Sequence, residues 1–253
     1  MSSLASLFHA ERIKWKRNWA TVAAMLCPAS LVGFLFLIFW NSEIQASKLG
    51  PGFQVWYQVV YSAWNLIFMP ITVALVCLLS WEAEEEAGAW KHLLLQPVPR
   101  RFHYLAKWLS HAALMLIAQL VLALLVMLTS LLISKYLLYL DMGPRKFSLF
   151  AGLGATSFLA SLPLLGLHTW LSTRMRGVGS NLTLALVGSL LTVLLAGLQM
   201  PVKWSPWALS VAGIRVVFGT DVGAVGLLAS ACGLALLLVL LGTWDFSRRE
   251  EQR

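Results

Sequence analysis

Six stretches of the 253-residue chain, each at least 18 residues long, contain no Asp, Glu, Lys or Arg. They run over 19–40, 55–80, 108–133, 150–171, 182–199 and 222–244. About 20 apolar residues in a helix cross roughly 30 Å of hydrocarbon, so each is long enough to span a bilayer. Inside lipid every backbone N–H and C=O must be paired within the segment, and the two-residue alternation of a barrel strand is missing. The predicted fold class is therefore all-α, a polytopic membrane protein with six transmembrane helices. Composition agrees: 12% of residues are charged, against about 25% in soluble domains.

The spans also limit what else the chain can hold. The longest connection, residues 81–107, has 27 residues, too few for a soluble catalytic or nucleotide-binding domain. A Walker A loop needs Lys followed by Ser or Thr, and none of the eight lysines is followed by either. If ATP is consumed, another chain binds it. The expected organisation is one six-span domain over 1–253, with an N-terminal segment at 1–18, a loop at 81–107 and an outer re-entrant or interfacial segment at 200–221.

An even number of spans puts both termini on one side. Thirteen of the nineteen Lys and Arg fall in the termini and the two loops on that side, so the positive-inside rule places both termini in the cytoplasm. The net charge of +8 belongs to this bias and to anionic lipid heads; nucleic acid is not an expected partner. The first apolar run, at 22 residues, exceeds a signal-peptide core of 7 to 15, so no cleaved leader is expected. Cys27, Cys77 and Cys232 all fall in spans without metal or disulfide spacing and read as packing residues. Trp19, Trp40, Trp56, Trp81, Trp108, Trp170 and Trp244 lie near span ends and suit an aromatic belt. Trp64 and Asn65, mid-span, are expected to face protein or a water-filled cavity.

Three segments can carry function. In the first, Leu4, Leu7, Phe8, Glu11 and Trp15 share one helical stripe flanked by Arg12, Lys16 and Arg17, which predicts an interfacial amphipathic helix. It either anchors the chain or moves with a cytosolic partner. In the second, Glu82, Glu84, Glu85 and Glu86 crowd the expected start of a short loop helix, where negative charge suits the dipole. Trp90, Leu93 and Leu94 then form an apolar patch before Pro97 and Pro99 end the helix. This helix either lies on the membrane, its glutamates paired with Arg100, Arg101 or Lys107, or docks into a soluble partner with Trp90 as anchor. Anionic lipid repels acid, which favours docking. The third is 200–221, rich in Trp and Pro and too short to cross. Polar span positions Gln58, Asn65 and Gln119 are candidates for a transport path.

These residues resemble a known family. Six spans, the basic N-terminus Glu11-Arg-Ile-Lys-Trp-Lys-Arg, and the loop motifs Glu82-Ala-Glu-Glu-Glu-Ala-Gly-Ala-Trp-Lys and Gln96-Pro-Val-Pro-Arg are similar to type-2 ABC exporter permeases, most of all to lantibiotic-immunity subunits. The resemblance implies that the first cytosolic loop is a coupling helix entering a cleft of the ATP-binding subunit. Glu82, Glu84, Glu85, Glu86, Trp90, Leu93 and Leu94 would form that interface. It implies no cofactor in this chain, ATP and Mg being bound by the partner ATPase in two copies, and a second permease, the same or related, alongside membrane lipid. The setting would be the bacterial cytoplasmic (inner) membrane, and the activity export or membrane extraction of an amphipathic compound such as an antimicrobial peptide. Two alternatives stay open: a membrane enzyme using Glu85, Glu86, His111 and His168 with a metal, or a membrane sensor or assembly factor.

Overall fold

The structure, a computed structural model, describes residues 4–41, 52–88, 98–136, 147–175, 178–198, 205–218 and 223–248. Helix α1 (Leu4–Lys14) passes through a 3-10 turn at Trp15–Arg17 into α2 (Trp19–Asn41). The second span has two α-helical parts, α3 (Gly52–Ala63) and α4 (Met69–Glu86), joined by a π-helical turn at Trp64–Phe68. After it come α5 (Arg100–Tyr136), α6 (Phe147–Ser172), α7 (Val178–Gly197), the short α8 (Pro206–Val217) and α9 (Ala224–Arg248). No strand occurs among the described residues. Among the described residues six helices are long and apolar enough to cross a membrane, and the chain is an all-α, multi-pass membrane protein.

The π-helical turn has a local cause. Pro70 has no N–H to donate and its ring crowds the carbonyl four residues back, at Leu66. The ladder widens just there, and the Met69 N–H bonds Trp64 O, five residues away. This interrupted span is the most buried of the six. Its inward side, with Trp56, Tyr61, Trp64, Met69 and Val73, is fully enclosed by the neighbouring helices. The spans α2, α5, α7 and α9 turn rows of Leu, Phe and Val outward, the surface that lipid would cover.

Two glycines set close approaches. A Cβ on Gly188 of α7 would lie 2.2 Å from the indole of Trp207, so this glycine is the seat of α8. One on Gly242 of α9 would lie 2.0 Å from the Tyr104 hydroxyl. The short helix thus starts beside the middle of α7 and ends with Val217 beside Gly152, near the start of α6. Of the segment expected at 200–221, residues 200–204 and 219–221 lie outside the described residues.

Several expectations change. The tryptophans divide: Trp19, Trp40 and Trp244 are exposed, as a belt requires, but Trp56 and Trp81 are buried in the bundle. The stripe of α1 does not form a free amphipathic face. Glu11 and Trp15 are half-buried and α1 lies along α5, where Trp15 Nε1 donates to Ser110 Oγ at 2.8 Å. Cys77 and Cys27 pack inside or partly inside the bundle, whereas Cys232 is exposed on α9.

Candidate functional site

The acidic run sits elsewhere than expected. Glu82, Glu84, Glu85 and Glu86 occupy the last turns of α4, a continuation of the second span, and not the start of a new helix. A helix C-terminus carries partial negative charge, so acid there needs compensation. Glu84, 4% exposed, obtains it. Its Oε1 accepts from Lys14 Nζ of α1 at 2.5 Å and from Lys107 Nζ of α5 at 2.6 Å. Lys107, 3% exposed, also donates to Ser80 O at 3.1 Å and stands over the Trp81 ring, 4.7 Å from its centroid. Lys14 pairs again with Glu11 at 2.5 Å, and Glu11 reaches Lys107 at 3.9 Å.

Two carboxylates and two ammonium groups thus neutralise one another where α1, α4 and α5 meet. They border a cavity of about 240 Å³ that is also lined by Leu7, His103 and Phe246. Partial burial alone lowers the Lys14 pKa, but the carboxylates of Glu84 and Glu11 outweigh it and raise the value above the ordinary 10.5. Nearby, Asp245 lies within α9 and accepts from Trp170 Nε1 at 3.0 Å and from the Arg174 guanidinium. That contact raises the Arg174 pKa further.

Glu84 is therefore an ion-pair hub turned into the bundle. Its neighbours are more open: Glu85 and Glu86 are exposed and Glu82 is half-buried at the end of α4. Trp90, Leu93 and Leu94 lie outside the described residues. The chain leaves this end at Gly88, whose φ of 60° is left-handed, and re-enters as α5 at Arg100.

Of the polar span positions, Asn65 and Gln119 are brought together and Gln58 is not, since it is exposed on the outside of α3. Asn65, inside the π-helical turn, donates from Nδ2 to Tyr61 O at 2.8 Å, and its Oδ1 accepts from Ser157 Oγ of α6 at 3.0 Å. Gln119 of α5 donates from Nε2 to Ser157 Oγ at 2.9 Å. The Asn65 carbonyl lies 3.1 Å from Ser210 Oγ of α8, whose proton is shared with Trp207 O at 2.6 Å. Each donor meets an acceptor, so the amide orientations are mutually consistent. None of Ser157, Ser210 and Pro70 was among the candidate site residues of the sequence.

His111 and His168, both buried, have separate partners. His111 Nδ1 is 3.0 Å from Thr169 Oγ1, and His168 Nδ1 is 2.5 Å from Asn181 Oδ1. Among the described residues no group of three or more His, Cys, Asp or Glu is placed to hold a metal ion, and the exposed Glu85 and Glu86 are not gathered with the histidines.

A family model described as ABC-2 family transporter protein matches residues 7–191, which take in most of α1, the first four spans and the greater part of the fifth. No curated protein matches the sequence. A membrane subunit of this family implies pairing with an ABC ATPase subunit. With the greater part of its length matched, the chain belongs to the ABC-2 family of transporter proteins.

Proposed function

We propose that this membrane subunit works as an exporter permease, driven from its cytoplasmic side by ATPase subunits that grip the connection between α4 and α5. The observation that carries this reading is the division of labour at the end of α4. Glu84 fastens the helix inward to α1 and α5, while Glu85 and Glu86 face outward where the connection departs. A push on the connection would then reach the buried second span as a rigid displacement. Trp90, Leu93 and Leu94 would supply the apolar anchor and Glu82, Glu85 and Glu86 the charged rim, an arrangement common at interface centres and edges.

Two ATPase copies would act on a pair of permeases, this chain with itself or a related one, in a bacterial cytoplasmic membrane. The cargo would be an amphipathic compound such as a lantibiotic-type peptide, expelled or drawn from the lipid, giving self-protection. The test is co-purification in mild detergent from the native host. A stoichiometric ATPase that is lost in Glu85→Lys/Trp90→Ala, with helicity retained, is the expected result. Full recruitment by that double variant would reject the docking assignment. Lantibiotic sensitivity unchanged on deleting the gene would reject the cargo.

A further inference from the structure

The short helix α8 is tied to the bundle differently from its chain neighbours. It packs mainly on α6, where a Cβ added to Gly213 would lie 3.7 Å from Thr156; it also touches α9 and seats Trp207 at Gly188 of α7, and its Ser210 reaches the backbone of Asn65 in the second span. That backbone belongs to the π-helical turn, the one place where the second span departs from α-helical pairing among its described residues. Asn65 meanwhile holds α6 through Ser157 and, through it, α5 through Gln119. One residue thus joins four elements. Gln119 Oε1 remains without a protein partner, so the cluster has spare accepting capacity. π-helical turns recur at functional sites, and they are places where a span can change pitch without losing its helix.

We propose that Asn65 is a positioning residue that fastens α8 to the second span, so that the short helix follows that span and not α7 or α9, which flank it in the chain. The side chain of Asn65 sets the geometry of the π-helical turn through Tyr61 O and Ser157; the turn presents the Asn65 carbonyl; and Ser210 reads it. An outer barrier built on α8 would then open and close with the same span whose far end carries Glu84, Glu85 and Glu86. This goes beyond the docking reading, and its first test makes no use of an ATPase.

The experiment is hydrogen exchange of the full chain alone in lipid nanodiscs, followed peptide by peptide. Ser210→Ala removes the α8 hydroxyl and is expected to speed exchange over Pro206–Val217 by about five- to tenfold, the worth of one net hydrogen bond. Asn65→Leu keeps the carbonyl that Ser210 meets and removes the side-chain hydrogen bonds to Tyr61 O and Ser157, yet is expected to speed the same peptide and to leave α7 and α9 as they were. Ser130→Ala, a buried hydroxyl on α5 that bonds its own helix, should change neither. If Asn65→Leu fails to fold, Ser157→Ala is read in its place, with the same sign. The proposal is overturned if Asn65→Leu or Ser157→Ala loosens α6 and leaves α8 untouched, or if exchange rises equally everywhere. With the partner ATPase trapped by vanadate, α8 should respond together with Trp81–Glu86 in the wild type. A response at Trp81–Glu86 alone overturns the proposal; silence at both counts against the docking reading, the attachment of α8 having been decided by the chain alone.

Discussion

Glu84 is the residue on which the α1 end of the bundle turns. Two ammonium groups share one of its oxygens, and Lys107 is almost completely enclosed. Removing one partner of a buried pair leaves the other charge desolvated, at a cost of about 3–5 kcal/mol, whereas replacing both partners by apolar groups costs far less. Glu84→Gln is therefore expected to lower the thermal unfolding midpoint in detergent sharply, and Glu84→Gln/Lys107→Met to recover much of the loss. Lys14 predicts a pH effect. Its folded-state pKa is raised, so its stabilising contribution is fully present below about pH 10.4, the unfolded value, and disappears as pH rises through the folded value above 10.5. Unfolding curves of wild type and Lys14→Met should converge on the alkaline side of that value and separate below it. Pairing of the glutamates with Lys107 was one of the two expectations from sequence, but which of the four neighbouring acids takes it, and the part of Lys14, was not visible in the residue string. What separates Glu84 is the helical phase of α4, which turns it inward and Glu85 and Glu86 out.

At the scale of elements, the tightest approach of α8 is that of Trp207 to α7. Gly188 leaves room for the Trp207 indole and for nothing larger than hydrogen on the glycine side. Gly188→Val should force Trp207 off its seat, with an overpacking cost of about 1–3 kcal/mol, and raise protease cleavage around α8. Adding Trp207→Leu should relieve the clash and reverse part of that rise. The π-helical turn is the other joint. Pro70 gives the turn its local cause, but the inward bonding of Asn65 needs Ser157 of α6 and Ser210 of α8. The same dependence on neighbours governs α1. Its stripe of Leu4, Leu7, Phe8 and Trp15 reads equally as a lipid-facing or a protein-facing surface; only the placement of α5 and α4 turns Trp15 and Lys14 onto them.

The whole molecule is one subunit of an assembly. An ABC-2 membrane subunit needs an ATPase, and the exposed end of α4 is where the proposal seats it. Glu86→Lys reverses a charge on that rim without touching the buried ion pairs. It is expected to weaken ATPase recruitment by about tenfold, more strongly at low salt, as rim charges are screened by ions. The unfolding midpoint of the chain alone should stay within a degree or so of wild type, because surface substitutions rarely exceed about 0.5 kcal/mol. A drop in stability equal to that of Glu84→Gln would show that this carboxylate serves the bundle and not a partner.

The all-helical class and the six spans were determined by the sequence alone, because a charge-free run of 18 or more residues in hydrocarbon has one way to pair its backbone. The helix ends followed less closely: α4 runs on through Glu86 and α5 starts at Arg100, since polar residues continue a helix beyond the lipid where neighbours accept their charges. Which side of each span meets protein was left to tertiary structure. Lipid tails and leucine side chains are equally apolar, so hydropathy carries no information about who covers a face. The burial of Glu84 and Lys107, the polar cluster around Asn65 and the wedging of α8 against Gly188 all follow from helix packing, which brings together residues as far apart as 145 positions in the chain.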